Sequence, residues 1–170
     1  MMYLRYALFA PLSLIFNISV MLTCPIWAAW AAIFNLDRLP GVFSYVHTHD
    51  DDIYGTGMTK VRPTRMKDRW THAMWWICRN PGYGFDAYVL GFPGEGMVFE
   101  KKINNGKDGM NNRFDIMKAA NGKRYFSYRR DIRWSETRYL KLWFGWHYQS
   151  KDGGKSHMLK FDINPYKKIE

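Results

Sequence analysis

The sequence predicts an α+β protein: an N-terminal transmembrane or membrane-inserted helix, then a small antiparallel β-sheet domain with at least one amphipathic helix. Three observations carry this. No Asp, Glu, Lys or Arg occurs in the 31 residues from Tyr6 to Leu36. Apolar side chains alternate through Leu140, Leu142, Phe144 and Trp146, and again through Leu159, Phe161 and Ile163, which is the period of a strand with one face buried. An Asn121-Gly122 pair divides two strand-like runs, 114–118 and 124–130, as a two-residue hairpin turn requires.

The charge-free run comes first and assigns residues 1–36 to an apolar membrane segment. From Leu12 to Ile33 a helix rises about 33 Å, enough for a hydrocarbon core of about 30 Å. Leu12, Ile15, Ile18, Leu22 and Ile26 form the centre of the expected span. Twelve strongly apolar residues contribute about −4 to −7 kcal/mol toward insertion. Ser13, Asn17, Ser19 and Thr23 erode part of that. Pro11 and Pro25 lack backbone donors and point to a single kinked span. A re-entrant hairpin is one alternative. A cleaved secretory leader ending near Ala29-Trp30-Ala31 is another. The helix is expected to stop at Leu39-Pro40-Gly41.

Residues 37–65 read as a connector. Its polar part, from His47 to Pro63, holds Gly55 and Gly57 and no sustained period. Within it, His47, His49 and Asp50 carry ligand types suited to a divalent ion. No second pair at ligand spacing follows, so a solvated acidic loop is the plainer reading. Residues 66–170 make the basic α+β domain. Trp70, Met74 and Ile77, with Ala73 beside them, set an apolar stripe at helical spacing over 66–78. Trp75 and Trp76 are adjacent and cannot share that face. Asn80-Pro81-Gly82 supplies a stop, and Lys151-Asp152-Gly153-Gly154 a later turn. Cys24 lies in the apolar run and Cys78 in the soluble part. A disulfide between them is therefore not expected, and free thiols suit a reducing compartment.

Charge and aromatic content bear on partners. Of 25 basic residues only Arg5 precedes the apolar run, so the remainder carries 24 basic and 15 acidic side chains, a net +9. Such a balance favours anionic surfaces. Arg124, Tyr125, Arg129, Arg130, Trp134 and Trp143 interleave cations and rings and are the candidate contact residues. They fit a lipid headgroup layer, where each basic residue adds about 1 kcal/mol. An ordinary solvated strand face and single-stranded nucleic acid are the competing readings. No catalytic residue emerges. Cys78 with His72, His147 or His157 has no surrounding motif, and the Arg79–Phe85 run matches no phosphate-cradling spacing. Neither a cofactor nor an enzymatic activity is expected.

Arg79-Asn80-Pro81-Gly82-Tyr83-Gly84-Phe85, Val89-Leu90-Gly91-Phe92, the strand 140–146 and Asn164-Pro165-Tyr166 together resemble an uncharacterised family of small tailed-bacteriophage proteins with an N-terminal apolar segment. Leu39-Pro40 and Thr48-His49-Asp50-Asp51 fall where such proteins carry Leu-Pro and Thr-Pro-Asp-Asn. His49 replaces the proline, which sets it apart from any shared site. The resemblance implies a phage origin and no mechanism. The expected function is a non-enzymatic, membrane-anchored accessory protein that binds a host or phage protein partner, or itself. It would sit at the host cell inner membrane with its C-terminal domain cytoplasmic, on the strength of its basic charge and unpaired Cys78. A virion component and an envelope-acting enzyme are the alternatives.

Overall fold

A computed structural model describes residues 1–48, 52–54, 63–148 and 156–169. It is α+β: one long apolar helix, short helices, and a six-stranded antiparallel sheet. Helix α1, Met2–Ile33, runs unbroken through Pro11 and Pro25. It ends earlier than the sequence suggests. Phe34 N–H bonds Trp30 O, Leu36 N–H bonds Ala31 O at 2.9 Å, and Asn35 takes a left-handed φ of 52°. Asn is among the few residues that adopt that conformation readily, so Asn35 closes the helix before Leu39-Pro40-Gly41 is reached.

The chain forms two compact units. One comprises Leu12–Leu90: most of α1, a 3-10 turn at Gly41–Val46, α2 at Met66–Arg79 and α3 at Tyr83–Tyr88. Its core gathers Val20, Cys24, Ala28 and Ala31 from α1, Leu39, Val46, Ile53 and Tyr54 from the connector, and Ala73, Trp76 and Ile77 from α2. Trp76 is buried and Trp75 exposed, so the adjacent pair divides as one helix face demands. Trp70 Nε1 donates to the Pro25 carbonyl at 3.2 Å. Phe16 stacks on Phe85 with ring centres 4.2 Å apart. Gly82, at φ 65°, lies so close to α1 that an added Cβ would fall 2.0 Å from Asn17 Oδ1. Glycine is required there for both reasons.

Cys24 and Cys78 are joined in a disulfide, their Cα atoms 6.3 Å apart. This corrects the expectation of free thiols. The expectation treated the apolar run and the soluble part as separate environments. In fact one face of α1 belongs to the protein core; Cys24 sits in that core and Cys78 packs against it.

The other unit comprises Met1–Pro11 and Gly91–Glu170. Strands β2 (Val98–Asn104), β3 (Asn112–Lys118), β4 (Arg124–Arg133), β5 (Arg138–Tyr148) and β6 (Ser156–Lys168) form a meander, and the two-residue β1 (Phe92–Pro93) adds to the free edge of β6. Asn121-Gly122 turns β3 into β4 as the sequence indicates, with Gly122 at φ 77°. The first residues of α1 cover one end of this sheet. Tyr3 and Tyr6 pack on Phe126 with centroids 5.0 and 5.1 Å away, and Arg5 lies over the Tyr125 ring. Trp146, fully buried, is the hub of that cluster.

Candidate functional site

The inward face of α1 is built from small residues. Ala10, Ser13, Val20, Cys24, Ala28 and Ala31 are all buried, at spacings of three, four or seven that keep them on one face. Small side chains let other backbone approach closely. The outward arc is the opposite in size. Leu4, Leu8, Leu12, Leu14, Ile15, Ile18, Leu22, Ile26 and Ile33 are exposed, Leu22 by 78%. Only 22% of the most apolar part of the helix is buried, so α1 is not an ordinary core helix. By length and composition it is sufficient to cross a membrane, as a membrane helix or a signal sequence is.

Several polar side chains on α1 find partners within the fold. Ser13 is buried, and Asn17 Nδ2 reaches Ser13 Oγ and Asp86 Oδ2 at 3.3 Å each. Ser19 and Thr23 hydroxyls donate back to the carbonyls of Ile15 and Ser19 at 2.8 and 2.7 Å. Such back-bonding removes much of the cost of a hydroxyl in an apolar medium.

The second candidate is one face of the sheet. Strand register aligns Arg113, Arg129, Trp143 and Asp162 in one row, and Asp115, Ser127, Gly145 and Lys160 in the next. Asp131 and Lys141 begin a third. Arg113 pairs with Asp115, Arg129 with Asp131 at 3.2 Å, and Lys141 with Asp162. Trp143 lies among three cations: Lys141 at 4.6 Å, Arg129 at 5.2 Å and Lys160 at 5.4 Å from its ring centre. His147 meets the same ring edge-on at 4.1 Å. Burial, and then the fields of Lys160, Arg113, Arg129 and His157, lower the His147 pKa to about 3, so it is neutral at physiological pH. Gly145, at φ 90°, allows β4 to approach: a Cβ there would meet Phe126 O at 2.2 Å.

The two faces of the sheet do not divide into one buried apolar face and one wet polar face. On the face of Trp143, Lys141 and Lys160 are 8% and 6% exposed, while on the opposite face Phe161 and Ile163 are 44% and 55% exposed and Trp146 and Leu159 are fully buried. Lys141 is paired with Asp162 and Lys160 lies over the Trp143 ring. On the apolar face Tyr128 stacks on Phe144, and at its covered end Phe126 and Trp146 pack against Tyr6.

Over residues 1–170 the chain matches DUF7338, a family of unknown function. The chain belongs to that family. No curated protein matches it, and no solved structure does.

In this DUF7338 chain the six candidate contact residues do not form one patch. Arg129 and Trp143 stand together on the charged face. Tyr125 is buried and stacks on Phe92 at 3.9 Å. Arg124 forks onto Glu100 at 2.7 and 3.1 Å, which holds the Glu100 carboxyl below its usual pKa. Arg130 aligns with Leu142, outside the rows of Trp143, and Trp134 at the β4–β5 turn donates to Pro165 O. Of the metal candidates, His49 and Asp50 lie outside the described residues, as does the 151–154 turn. His47 is fully buried. Its Nε2 accepts from Leu39 N–H at 3.3 Å and its Nδ1 bonds Thr48 O at 2.7 Å, so both ring nitrogens are engaged. Burial first of all lowers its pKa. Among the described residues no His, Cys, Asp or Glu group suited to a metal occurs.

Sequence reasoning passed over Asp115, Asp131, Lys160 and Asp162. The signal was present: Arg113/Asp115 and Arg129/Asp131 sit two apart on strands and must share a face.

Proposed function

We propose that the protein is a membrane-attached bacteriophage accessory protein. It acts without catalysis, by binding a host or phage protein at the host inner membrane, as host takeover, superinfection exclusion or defence evasion requires. The observation that supports this reading most is the outward arc of α1, uncharged and large-aliphatic from Leu4 to Ile33. At 1.5 Å per residue it extends about 44 Å. An exposed apolar surface of that length on a basic chain is suited to lipid. The phage origin rests on the resemblance described above.

Attachment along the bilayer surface suits α1 better than crossing. Helix α2 reaches Pro25 through Trp70 and Cys24 through Cys78, and it carries Lys67, Asp68, Arg69 and Arg79. If α1 crossed, these charges would stand beside mid-helix in hydrocarbon, at about 2.5–3.5 kcal/mol each. With α1 in the plane of the interface they remain in water. The basic excess favours the cytoplasmic leaflet. The disulfide no longer allows Cys78 to be counted toward that side, and favours an oxidising one. Thiol labelling in intact and opened cells, with and without reductant, reads which face carries the chain.

Expressed at full length in a bacterial host, the protein should sediment with inner membranes, resist a high-salt wash and leave only in detergent. It should then co-purify with a stoichiometric partner or as an oligomer. Recovery as a monomer without detergent overturns the attachment. Recovery in detergent as a lone monomer overturns the binding role. Mass spectrometry of purified particles should not find it, and its presence there would reassign it to the virion.

A further inference from the structure

The charged face of the sheet opens into a cavity of about 410 Å³ lined by Arg129, Lys141, Lys167, Lys168, Tyr139 and Asp108, with the Gly109–Asn111 loop and Ile169 completing the lining. Four cations face one carboxylate across it. Its volume falls within the range of about 300–1,000 Å³ typical of small-molecule sites. The carboxylates that partner the inner cations, Asp131 and Asp162, are not part of the lining. They stand behind Arg129 and Lys141 and orient them.

We propose that this cavity binds a phosphate group, carried as a phosphomonoester or diphosphate on a small molecule or a headgroup. The site is built before any ligand arrives. Asp131, at 8% exposure, accepts Arg129 Nε and Nη2 at 3.3 and 3.2 Å. It also accepts the backbone and side-chain N–H of Asn111 at 3.1 and 2.6 Å, and its own N–H returns to Asn111 O at 2.8 Å. One carboxylate thereby locks both the arginine and the loop that lines the cavity. Arg129 keeps further N–H donors for a ligand, and its planar fork matches phosphate oxygens. Lys141, more than nine-tenths buried, supplies a positive charge where water is scarce and an anion is therefore held more strongly. Lys167 and Lys168 form the exposed rim that draws an anion in, and Tyr139 offers a wall and a hydroxyl. The cavity lies wholly within the sheet unit and needs nothing from the outward arc of α1, so the proposal stands or falls apart from membrane attachment.

The test is calorimetric titration of the full chain in detergent with inorganic pyrophosphate and inorganic phosphate. Alongside it runs co-sedimentation with phosphatidylcholine vesicles with and without phosphatidic acid. Pyrophosphate should bind, weaken with salt, and lose at least tenfold in affinity in K167Q/K168Q, whose substitutions are on the exposed rim. Arg129→Lys, which keeps the charge and loses the fork, should lose about as much. A headgroup as source predicts that phosphatidic acid raises vesicle binding of the native chain and not of K167Q/K168Q; a free phosphate predicts equal response of both chains to the lipid, with pyrophosphate binding intact. Absence of pyrophosphate and phosphatidic acid binding, or binding unchanged in both variants, overturns the proposal.

Discussion

In α1 the large aliphatic side chains face outward and the small ones inward; in the sheet, charged side chains are buried and Phe161 and Ile163 are half-exposed. Both regions depart from the soluble pattern of greasy inside and charged outside, but by different means. Helix α1 does so through volume. Alanine, serine and cysteine on the inner face allow other backbone to approach, and every leucine and isoleucine is displaced to the outside. The sheet does so through pairing. Arg129 pairs with Asp131 and Lys141 with Asp162 around Trp143. The helix consequently tolerates any apolar residue outside and no larger one at its fully buried positions, such as Ala28 and Ala31. The sheet tolerates few changes among its charges, since removing one partner strands the other.

The difference is sharpest if a substitution acts on membrane binding and not on folding. Replacing Leu22 and Ile26 together by Glu puts two charges on the outward arc. Both fall on the face laid against the acyl boundary, where apolar burial drives binding, so flotation with vesicles should fall sharply while the melting temperature in detergent stays put. Ala28→Leu, on the inner face at 0% exposure, should do the reverse, destabilising the fold by about 1–3 kcal/mol through overpacking without weakening flotation. If both variants lose folding, the two faces of α1 are not distinct.

Breaking the Cys24–Cys78 bond should come next in size. The chain it closes is 54 residues long, for which loop entropy gives about 4 kcal/mol. Reduction, or Cys78→Ala, should lower the denaturant midpoint of the helical unit accordingly. Equal stability with and without reductant would show that the small-residue packing alone holds α2 to α1.

The smallest effect is the dependence on pH. His147 is held neutral in the fold with a pKa of about 3, against about 6.5 unfolded. The folded state binds fewer protons than the unfolded one between those values, so stability is fully present above pH 6.5 and is lost as pH falls toward 3. His47 and His72 are shifted the same way, chiefly by burial. Because His147 is only half-buried, a loss of about 1–2 kcal/mol is expected by pH 4. His147→Gln should flatten the midpoint-against-pH curve, and an unchanged slope would show that neither burial nor the surrounding cations hold it neutral.

What the sequence determined by itself is what repeats locally. The charge-free run made one long helix. Two-residue alternation made β5 and β6, and Asn121-Gly122 made the hairpin between β3 and β4, because each is set by the chain's own geometry over a few residues. The outward arc was half-legible: Leu12, Ile15, Ile18, Leu22 and Ile26 fall at helical spacing, and all five are exposed. Only the tertiary structure decided that the other side of α1 belongs to a protein core, which in turn brought Cys24 to Cys78. It alone showed which face of the sheet carries its buried charges. Those outcomes depend on contacts between residues such as Trp143 and Lys160, or Asn111 and Asp131. They come from different strands or loops, and no local period encodes their meeting.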